Sequence, residues 1–210
     1  MSMKPILFST PMVQAILDGR KTMTRRVVKP QPTHGIRVCG YSQYGWSETK
    51  ENGDCHCHNP GWHPYQVDDV LWVRETWRKT GTIATPYAYR ADEEPFVLLG
   101  EASDVMHLKY RYKPSIFMPR EAARIFLRVT DVRVERLQEI TEADALAEGV
   151  EGVPCDHAGR YACEDCMNTG WIEPPSVNFM TLWDSINAKR GYSWESNPWV
   201  WVYTFERVEP

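Results

Sequence analysis

Residues 19–26, with the sequence GRKTMTRR, are the segment that decides how we expect this chain to fold. The stretch before it, Thr10 to Asp18, indicates a short helix, because Thr10 can cap a helix and Pro11 suits its first turn. Gly19 supplies the left-handed residue at which helices commonly end. The segment is therefore predicted to be a loop that leaves a helix.

The same segment then becomes extended, as the two valines that follow it indicate. If its side chains alternate as in a strand, Thr22, Thr24 and Arg26 share one face, with Lys21 at the turn beside them. An amine, a hydroxyl and a guanidinium would then converge at the mouth of a sheet. A surface turn followed by an edge strand explains the same residues in structural terms.

A second strand is predicted from Asp68 to Trp77, in which successive side chains would lie on opposite faces. One face would carry Val70, Trp72, Arg74 and Thr76, and the other Leu71, Val73, Glu75 and Trp77. Glu75 then lies on an otherwise apolar face, where loss of solvation favours a protonated carboxyl that can donate a proton near neutral pH. A salt bridge to a nearby arginine is the structural alternative.

The middle of the chain adds further elements. Residues 82–91 indicate another strand, and residues 123–137 alternate well, with an interruption near Thr130 that indicates a bulge or a tight turn. Thr141 can then cap a helix that Gly149 ends.

The end of the chain predicts one more helix and one more strand. The helix opens at Pro175 or Ser176, and its apolar stripe should be core: Phe179, Leu182, Trp183 and Ile186. Residues 199–205 alternate as a strand with aromatic side chains. Together with the central strands, it can close a small barrel, so we expect an α+β fold with a barrel and flanking helices.

Composition bounds the class of protein. The chain has 210 residues, enough for one sizeable domain, and 42% hydrophobic residues fit a soluble globular protein. No apolar run approaches a membrane span, and the first residues do not resemble a secretory signal, so we expect a cytoplasmic protein with no membrane partner. Its net charge of −4 argues against a general polyanion binder, although residues 19–29 and 109–128 are locally basic and could hold a phosphate or a nucleotide.

A loop between residues 110 and 120 interleaves aromatic and basic side chains. Such a loop can stack a base and hold a phosphate, which makes Tyr112, Met118 and Arg120 candidates for a pocket wall. The same loop could instead be a core plug, with Ile116, Phe117 and Met118 buried.

The chain has six cysteines, which in a cytosolic protein suggest thiols or metal rather than disulfides. The best cluster lies in a predicted insertion at about residues 151–175, where Cys155, His157, Cys163 and Cys166 could hold a structural zinc. All four could equally be solvated loop residues. A less regular group, from Cys39 to His63, belongs to a second insertion at about residues 31–66.

The pattern Gly-x-Lys-x-x-(Glu or Thr)-x-Arg after a short helix resembles the ASCH domain, a relative of the PUA RNA-binding barrel. With Thr24 in its variable slot, the chain is most similar to the small bacterial N(4)-acetylcytidine amidohydrolases, and residues 69–77 resemble the strand that carries the catalytic glutamate of that family. Its greater length resembles the ASCH proteins of phages and prophages. The resemblance implies one PUA-like domain over residues 1–210, decorated by the two insertions.

The residues themselves provide what amide hydrolysis needs: a Thr24 hydroxyl, a Lys21 amine that can take its proton if neutral, and a Glu75 acid for the leaving amine. Arg25 and Arg26 would help to depress the pKa of Lys21. The resemblance implies the same roles, with Arg26 as an anchor for substrate and with no organic cofactor. The substrate would be a modified cytidine, free or in RNA. Two other functions remain open, a non-catalytic RNA-binding or nucleotide-binding module and an ASCH-type ribonuclease.

Overall fold

The computed structural model describes residues 3–32, 36–38, 46–49, 55–56, 64–80, 83–92, 111–154 and 171–209. Its elements, in chain order, are β1 (Met3–Leu7), α1 (Thr10–Leu17), β2 (Met23–Val27), β3 (Ile36–Val38), β4 (Trp46–Thr49), β5 (Cys55–His56), β6 (Val70–Arg74), β7 (Trp77–Lys79), β8 (Tyr87–Tyr89), β9 (Phe126–Arg136), α2 (Glu142–Ala147), β10 (Val153–Pro154), β11 (Trp171–Glu173), α3 (Pro175–Asn187) and β12 (Trp199–Val208). No helix in this described part is long and apolar enough to cross a membrane.

A five-stranded mixed sheet organises the molecule, with the strand order β1-β6-β9-β12-β2. β1 and β6 run parallel, whereas the other neighbouring strands are antiparallel. The pairing of β9 with β12 shifts register so that Thr204 faces Asp131 and Phe205 faces Val129, which leaves Thr130 without a partner. This shift confirms the predicted bulge, because one extra residue returns the apolar side chains of β9 to the same face.

Helices cover the two faces of the sheet. α1 packs on one, the α1 face, whose core contains Ile6, Phe8, Val13, Leu71, Val73, Trp201, Tyr203 and Phe205. α2 and α3 pack on the other, the α2/α3 face, whose core contains Met23, Leu137, Ala145, Phe179, Trp183, Val200 and Val202. Successive residues of β2 and β12 therefore alternate between two separate buried layers.

The ends of the helices follow the predicted chemistry with one correction. Ser9, not Thr10, precedes the first helix, and its side chain makes no capping hydrogen bond. Thr141 does cap α2, since its hydroxyl accepts a hydrogen bond from the Asp144 backbone N–H at 3.1 Å. Gly19 and Gly149 both adopt left-handed φ angles, +75° and +81°, as the sequence predicted for residues that end helices.

The sheet is open, and the prediction of a closed barrel is wrong. Its edge strands β1 and β2 are not joined by backbone hydrogen bonds. Instead, side chains donate hydrogen bonds to backbone carbonyls of β1. Arg26 Nη2 donates to Leu7 O at 2.8 Å, and the Tyr65 hydroxyl donates to Pro5 O at 2.8 Å. These contacts satisfy backbone acceptors that a neighbouring strand would otherwise bind.

Two other expectations need correction. The strand predicted from Asp68 to Trp77 is divided into β6 and β7, although its inward face is right: Leu71, Val73, Glu75 and Trp77 are buried. Within residues 83–91, only Tyr87–Tyr89 forms a strand. In α3, Phe179 and Trp183 are buried but Ile186 is 47% exposed, because it lies beyond the edge of the core that α3 covers.

Candidate functional site

Six polar or charged residues are buried in the described part of the chain, and three of them are the predicted catalytic residues, Lys21, Thr24 and Glu75. The other three are Arg25, Asp69 and Glu148. Burying a polar group costs free energy unless it finds partners, so each of these residues has to be explained by its contacts. Their partners are what separates a structural role from a chemical one.

The backbone of Lys21 is fixed by contacts on both sides of the loop. Its N–H donates to Ala15 O at 2.9 Å, and the N–H of Thr22 donates to Ala147 O at 2.8 Å. The backbones of Lys21 and Glu148 form an isolated antiparallel bridge. The loop after α1 and the chain after α2 therefore hold one another, which brings two residues that are 127 positions apart into contact.

The amine of Lys21 has three acceptors around it. Nζ lies 2.8 Å from Met23 O, 2.7 Å from Glu148 O and 2.7 Å from Glu148 Oε2. An ammonium group has three N–H donors, so this arrangement matches the charged amine. Burial lowers the pKa of Lys21, Glu148 opposes this effect by its charge and hydrogen bond, and Arg26 and Arg25 add to the lowering. The contribution of the two arginines agrees with the sequence prediction.

Glu148 connects Lys21 to a network of charges on the α2/α3 face. Its Oε1 lies 3.4 Å from Arg25 Nη1, and Arg25 Nη2 also binds Glu135 and Asp144, at 2.6 and 2.9 Å. Sequence reasoning missed Glu148, because a glutamate near the end of a helix carries no local signal of a distant lysine. The left-handed Gly149 beside it was the only hint that the chain turns there.

Thr24 and Arg26 lie on the α1 face, as the predicted alternation of β2 requires. Thr24 pairs across the sheet with Tyr203, and Arg26 with Trp201. The ring of Phe8 lies close to two cations, 5.5 Å from Lys21 Nζ and 5.3 Å from Arg26 Cζ.

Three polar atoms on this face are buried without a hydrogen-bond partner among the described residues: Arg26 Nε, Trp199 Nε1 and the Tyr203 hydroxyl. Burial raises the pKa of the Tyr203 hydroxyl, and the charge of Arg26 acts in the opposite direction. The rings of Tyr65 and Tyr203 meet edge to face with their centroids 5.1 Å apart. The α1 face therefore combines aromatic rings with unsatisfied hydrogen-bonding groups.

Glu75 continues the inward face of β6 and is 1% exposed. Its two carboxylate oxygens accept hydrogen bonds from Arg124 at 2.9 and 3.0 Å, and Arg124 also binds Asp92 at 2.7 Å. Burial raises the pKa of Glu75 above its ordinary value, while the hydrogen bonds and charge of Arg124 act in the opposite direction. Glu75 therefore has both features that the sequence suggested as alternatives, a raised pKa and a salt bridge to an arginine.

The three predicted catalytic residues are all buried but have different partners. Thr24 lies on the α1 face by its pairing with Tyr203, Glu75 follows β6 beside Met118, and Lys21 precedes β2 beside Phe8. Phe8 lies between them, since its N–H donates to Arg74 O at 3.3 Å and its ring contacts the Lys21 amine. In the described part of the chain, no hydrogen bond or ion pair joins any two of the three.

The candidates for the pocket wall are dispersed. Met118 is fully buried, and its sulfur lies 3.2 Å from the Glu75 backbone N. Tyr112 lies elsewhere, with the guanidinium groups of Arg78 and Arg90 5.4 and 5.7 Å from its ring centre. Arg120 is exposed and contacts the sulfur of Met3. Within the predicted plug, Ile116 and Phe117 are exposed, so only Met118 fills the core.

The proposed zinc ligands, Cys155, His157, Cys163 and Cys166, lie outside the described residues, so that prediction stays a prediction. Within the described residues, no group of three or more His, Cys, Asp or Glu side chains is arranged to hold a metal ion. Comparisons of the chain with protein-family models, with curated proteins and with solved structures found no match.

Proposed function

We propose that this protein is an amidohydrolase that removes an acyl group from the exocyclic amine of a modified cytidine, on a fold of the PUA-like ASCH type. The observation that carries the proposal is the burial of Lys21, Thr24 and Glu75, three of the few polar side chains that the described residues bury. Burial shifts the pKa of the amine downwards and that of the acid upwards. These are the directions in which a lysine becomes available as a base and a glutamate as an acid at neutral pH.

The reaction would begin at Thr24. As its hydroxyl oxygen bonds to the acyl carbon, its proton passes to the neutral amine of Lys21. The bond between the acyl carbon and the cytosine nitrogen then breaks, and the nitrogen takes a proton from Glu75. Water would then attack the acyl carbon, giving one proton to Glu75, while Lys21 returns its proton to the departing Thr24 oxygen; the carboxylic acid leaves and all three side chains are restored. The products are cytidine and a carboxylic acid.

Arg26 would anchor the substrate. It is a cation beside the ring of Phe8, and its buried Nε–H has no hydrogen-bond acceptor among the described residues. A carbonyl oxygen of the pyrimidine or a phosphate oxygen is the kind of acceptor that this donor would bind.

Incubation with N(4)-acetylcytidine, followed by chromatography of the nucleoside, tests the proposal. We expect cytidine to accumulate with the wild type and not with Lys21→Ala. The matched control is Lys29→Ala, since Lys29 is an exposed residue of the same basic segment. No turnover by wild-type protein at high concentration removes the proposal, and unchanged turnover by Lys21→Ala removes the mechanism.

A second candidate function, nucleotide binding without reaction, is supported by the unsatisfied donors of Arg26 and Tyr203. It also fits a resting state in which Lys21 is held as an ammonium and Glu75 is held by Arg124. A pure binding module predicts affinity for RNA that falls with salt and with Arg26→Ala, without any product. Filter binding at two salt concentrations, beside the turnover assay, separates the two functions.

A further inference from the structure

We propose that Glu148 is a positioning residue for Lys21: its carboxylate and its main-chain carbonyl fix the amine at the start of β2 and control whether that amine carries a proton. This inference rests on the proposed function, in which Lys21 has to receive a proton from Thr24. Glu148 would act on the reaction through its contacts with Lys21.

The geometry of the contact supports this role. Glu148 supplies two of the three acceptors around Lys21 Nζ, one from its side chain and one from its backbone, each at 2.7 Å. The side chains of both residues are nearly inaccessible, at 2% and 6% exposure. Because water cannot replace the carboxylate in such a place, the loss of its charge acts directly on the amine.

The fold is built to keep these two residues together. Their backbones pair, and a Cβ placed on Gly149 would lie 2.9 Å from the Cβ of Lys21 and 2.8 Å from that of Ala15. The chain after α2 thus packs directly against the loop after α1, with no room for a larger residue. Glu148 reaches Lys21 only because its neighbour is a glycine.

The charged groups around the Lys21 amine decide whether loss of the Glu148 charge favours the neutral or the protonated amine. Lys21 faces Glu148 from the end of α2 and Arg25 and Arg26 from β2. Glu148 is the one carboxylate among these groups, and its Oε1 lies 3.4 Å from Arg25 Nη1. Removing its charge leaves burial and two cations, which favour the neutral amine, against the carbonyl acceptors of Met23 and Glu148, which favour the ammonium but carry no charge.

The test is an NMR titration of the Lys21 side chain in full-length protein, read from the 15Nζ and 13Cε signals and assigned by their absence in Lys21→Arg. In Glu148→Gln, we expect the titration midpoint to fall by about 1–3 pH units, the size of shift that a close opposite charge produces. The matched control is Glu135→Gln, which removes a carboxylate that binds Arg25 but not Lys21. It should leave the midpoint close to that of the wild type.

A midpoint that is equal in Glu148→Gln and wild type overturns the inference. If Glu148→Gln does not fold, Glu148→Asp takes its place; the shorter side chain draws the charge away from Nζ, so the midpoint should still fall, and an unchanged midpoint overturns the inference. The titration uses no substrate, so its result stands even if the wild type does not hydrolyse N(4)-acetylcytidine. If it does, the acid limb of the pH profile of kcat/KM should move to lower pH in the same variant.

Discussion

Arg25 and Arg26 are neighbours in one strand, yet they lie in opposite kinds of environment. The side chain of Arg25 is fully buried on the α2/α3 face, where its guanidinium meets Glu135, Asp144 and Glu148. Arg26 lies on the α1 face, where it binds a single backbone carbonyl and leaves its buried Nε without a partner among the described residues. Arg25 therefore binds three carboxylates, whereas the Nε–H of Arg26 has no acceptor among the described residues.

This difference shows how a structural role can be separated from a functional one by the contacts of each residue alone. A buried charge whose partners come from the fold is explained by the fold, since its removal leaves those partners unpaired. A buried donor that the fold leaves unpaired costs free energy and does not stabilise the fold, so a ligand or a bound water is the natural explanation. By this criterion, β2 carries a structural network on one face and, on the other, the surface that we propose binds the substrate.

The largest expected effect follows from removing the structural arginine. Arg25→Ala removes a fully buried cation that binds three carboxylates and leaves them, among the described residues, with only Arg133 and Lys21; breaking a buried charge pair typically costs about 3–5 kcal/mol of the free energy of unfolding. Arg26→Ala loses one hydrogen bond to a carbonyl, which is worth about 1 kcal/mol. Urea denaturation of the two variants measures the contrast. Equal losses of stability would remove the distinction between the two faces.

A smaller effect concerns the pH dependence of the same network. Burial raises the pKa of Asp144, but Arg25 and Arg133 together outweigh it, so the pKa is lowered from its ordinary value of 3.8. A carboxyl with a lowered folded-state pKa contributes stability above its unfolded pKa and loses this contribution as the pH falls. Asp144→Asn should therefore lose about 2 kcal/mol at neutral pH, as expected for a hydrogen-bonded charge, and the gap to the wild type should shrink below about pH 4.

Asp131→Asn serves as its control, since Asp131 is 57% exposed and lies 4.0 Å from Arg133. Denaturation at a series of pH values compares the two variants. A gap between Asp144→Asn and wild type that does not change with pH would contradict this account of the network.

The smallest effect tests the contact that joins the network to Lys21. Gly149→Ala and Gly19→Ala both place a side chain at a left-handed φ, but only Gly149 has neighbours within 3 Å of the new Cβ. We expect Gly149→Ala to cost about 1–2 kcal/mol more than Gly19→Ala, the size of an overpacking penalty. Thermal unfolding of the pair measures the difference. Equal losses would mean that the loop after α1 yields to the added methyl group.

Sequence reasoning succeeded where the signal is local. The face of Glu75 follows from alternation in one strand, the bulge at Thr130 from a break in that alternation, and the cap at Thr141 from the residues that follow it. Each of these features is decided within a few residues, so a single sequence contains it.

The partners could not be predicted in the same way, because they are set by the packing of distant segments. Glu148 meets Lys21 across 127 positions, and Arg124 meets Glu75 across 49. Alternation gives the face on which a side chain lies but not the residue opposite it. For the same reason, the strands were found while their closure into a barrel was wrong, since closure depends on how two distant edges meet.

The role of Thr24 is the central claim, and one comparison tests it most directly. Thr24→Val removes the hydroxyl and keeps the shape of the side chain, whereas Thr22→Val makes the same change at an exposed position in the same segment. Release of cytidine from N(4)-acetylcytidine is measured for both variants and the wild type. We predict release by the wild type and Thr22→Val and none by a folded Thr24→Val; release by Thr24→Val at the wild-type rate would contradict the account.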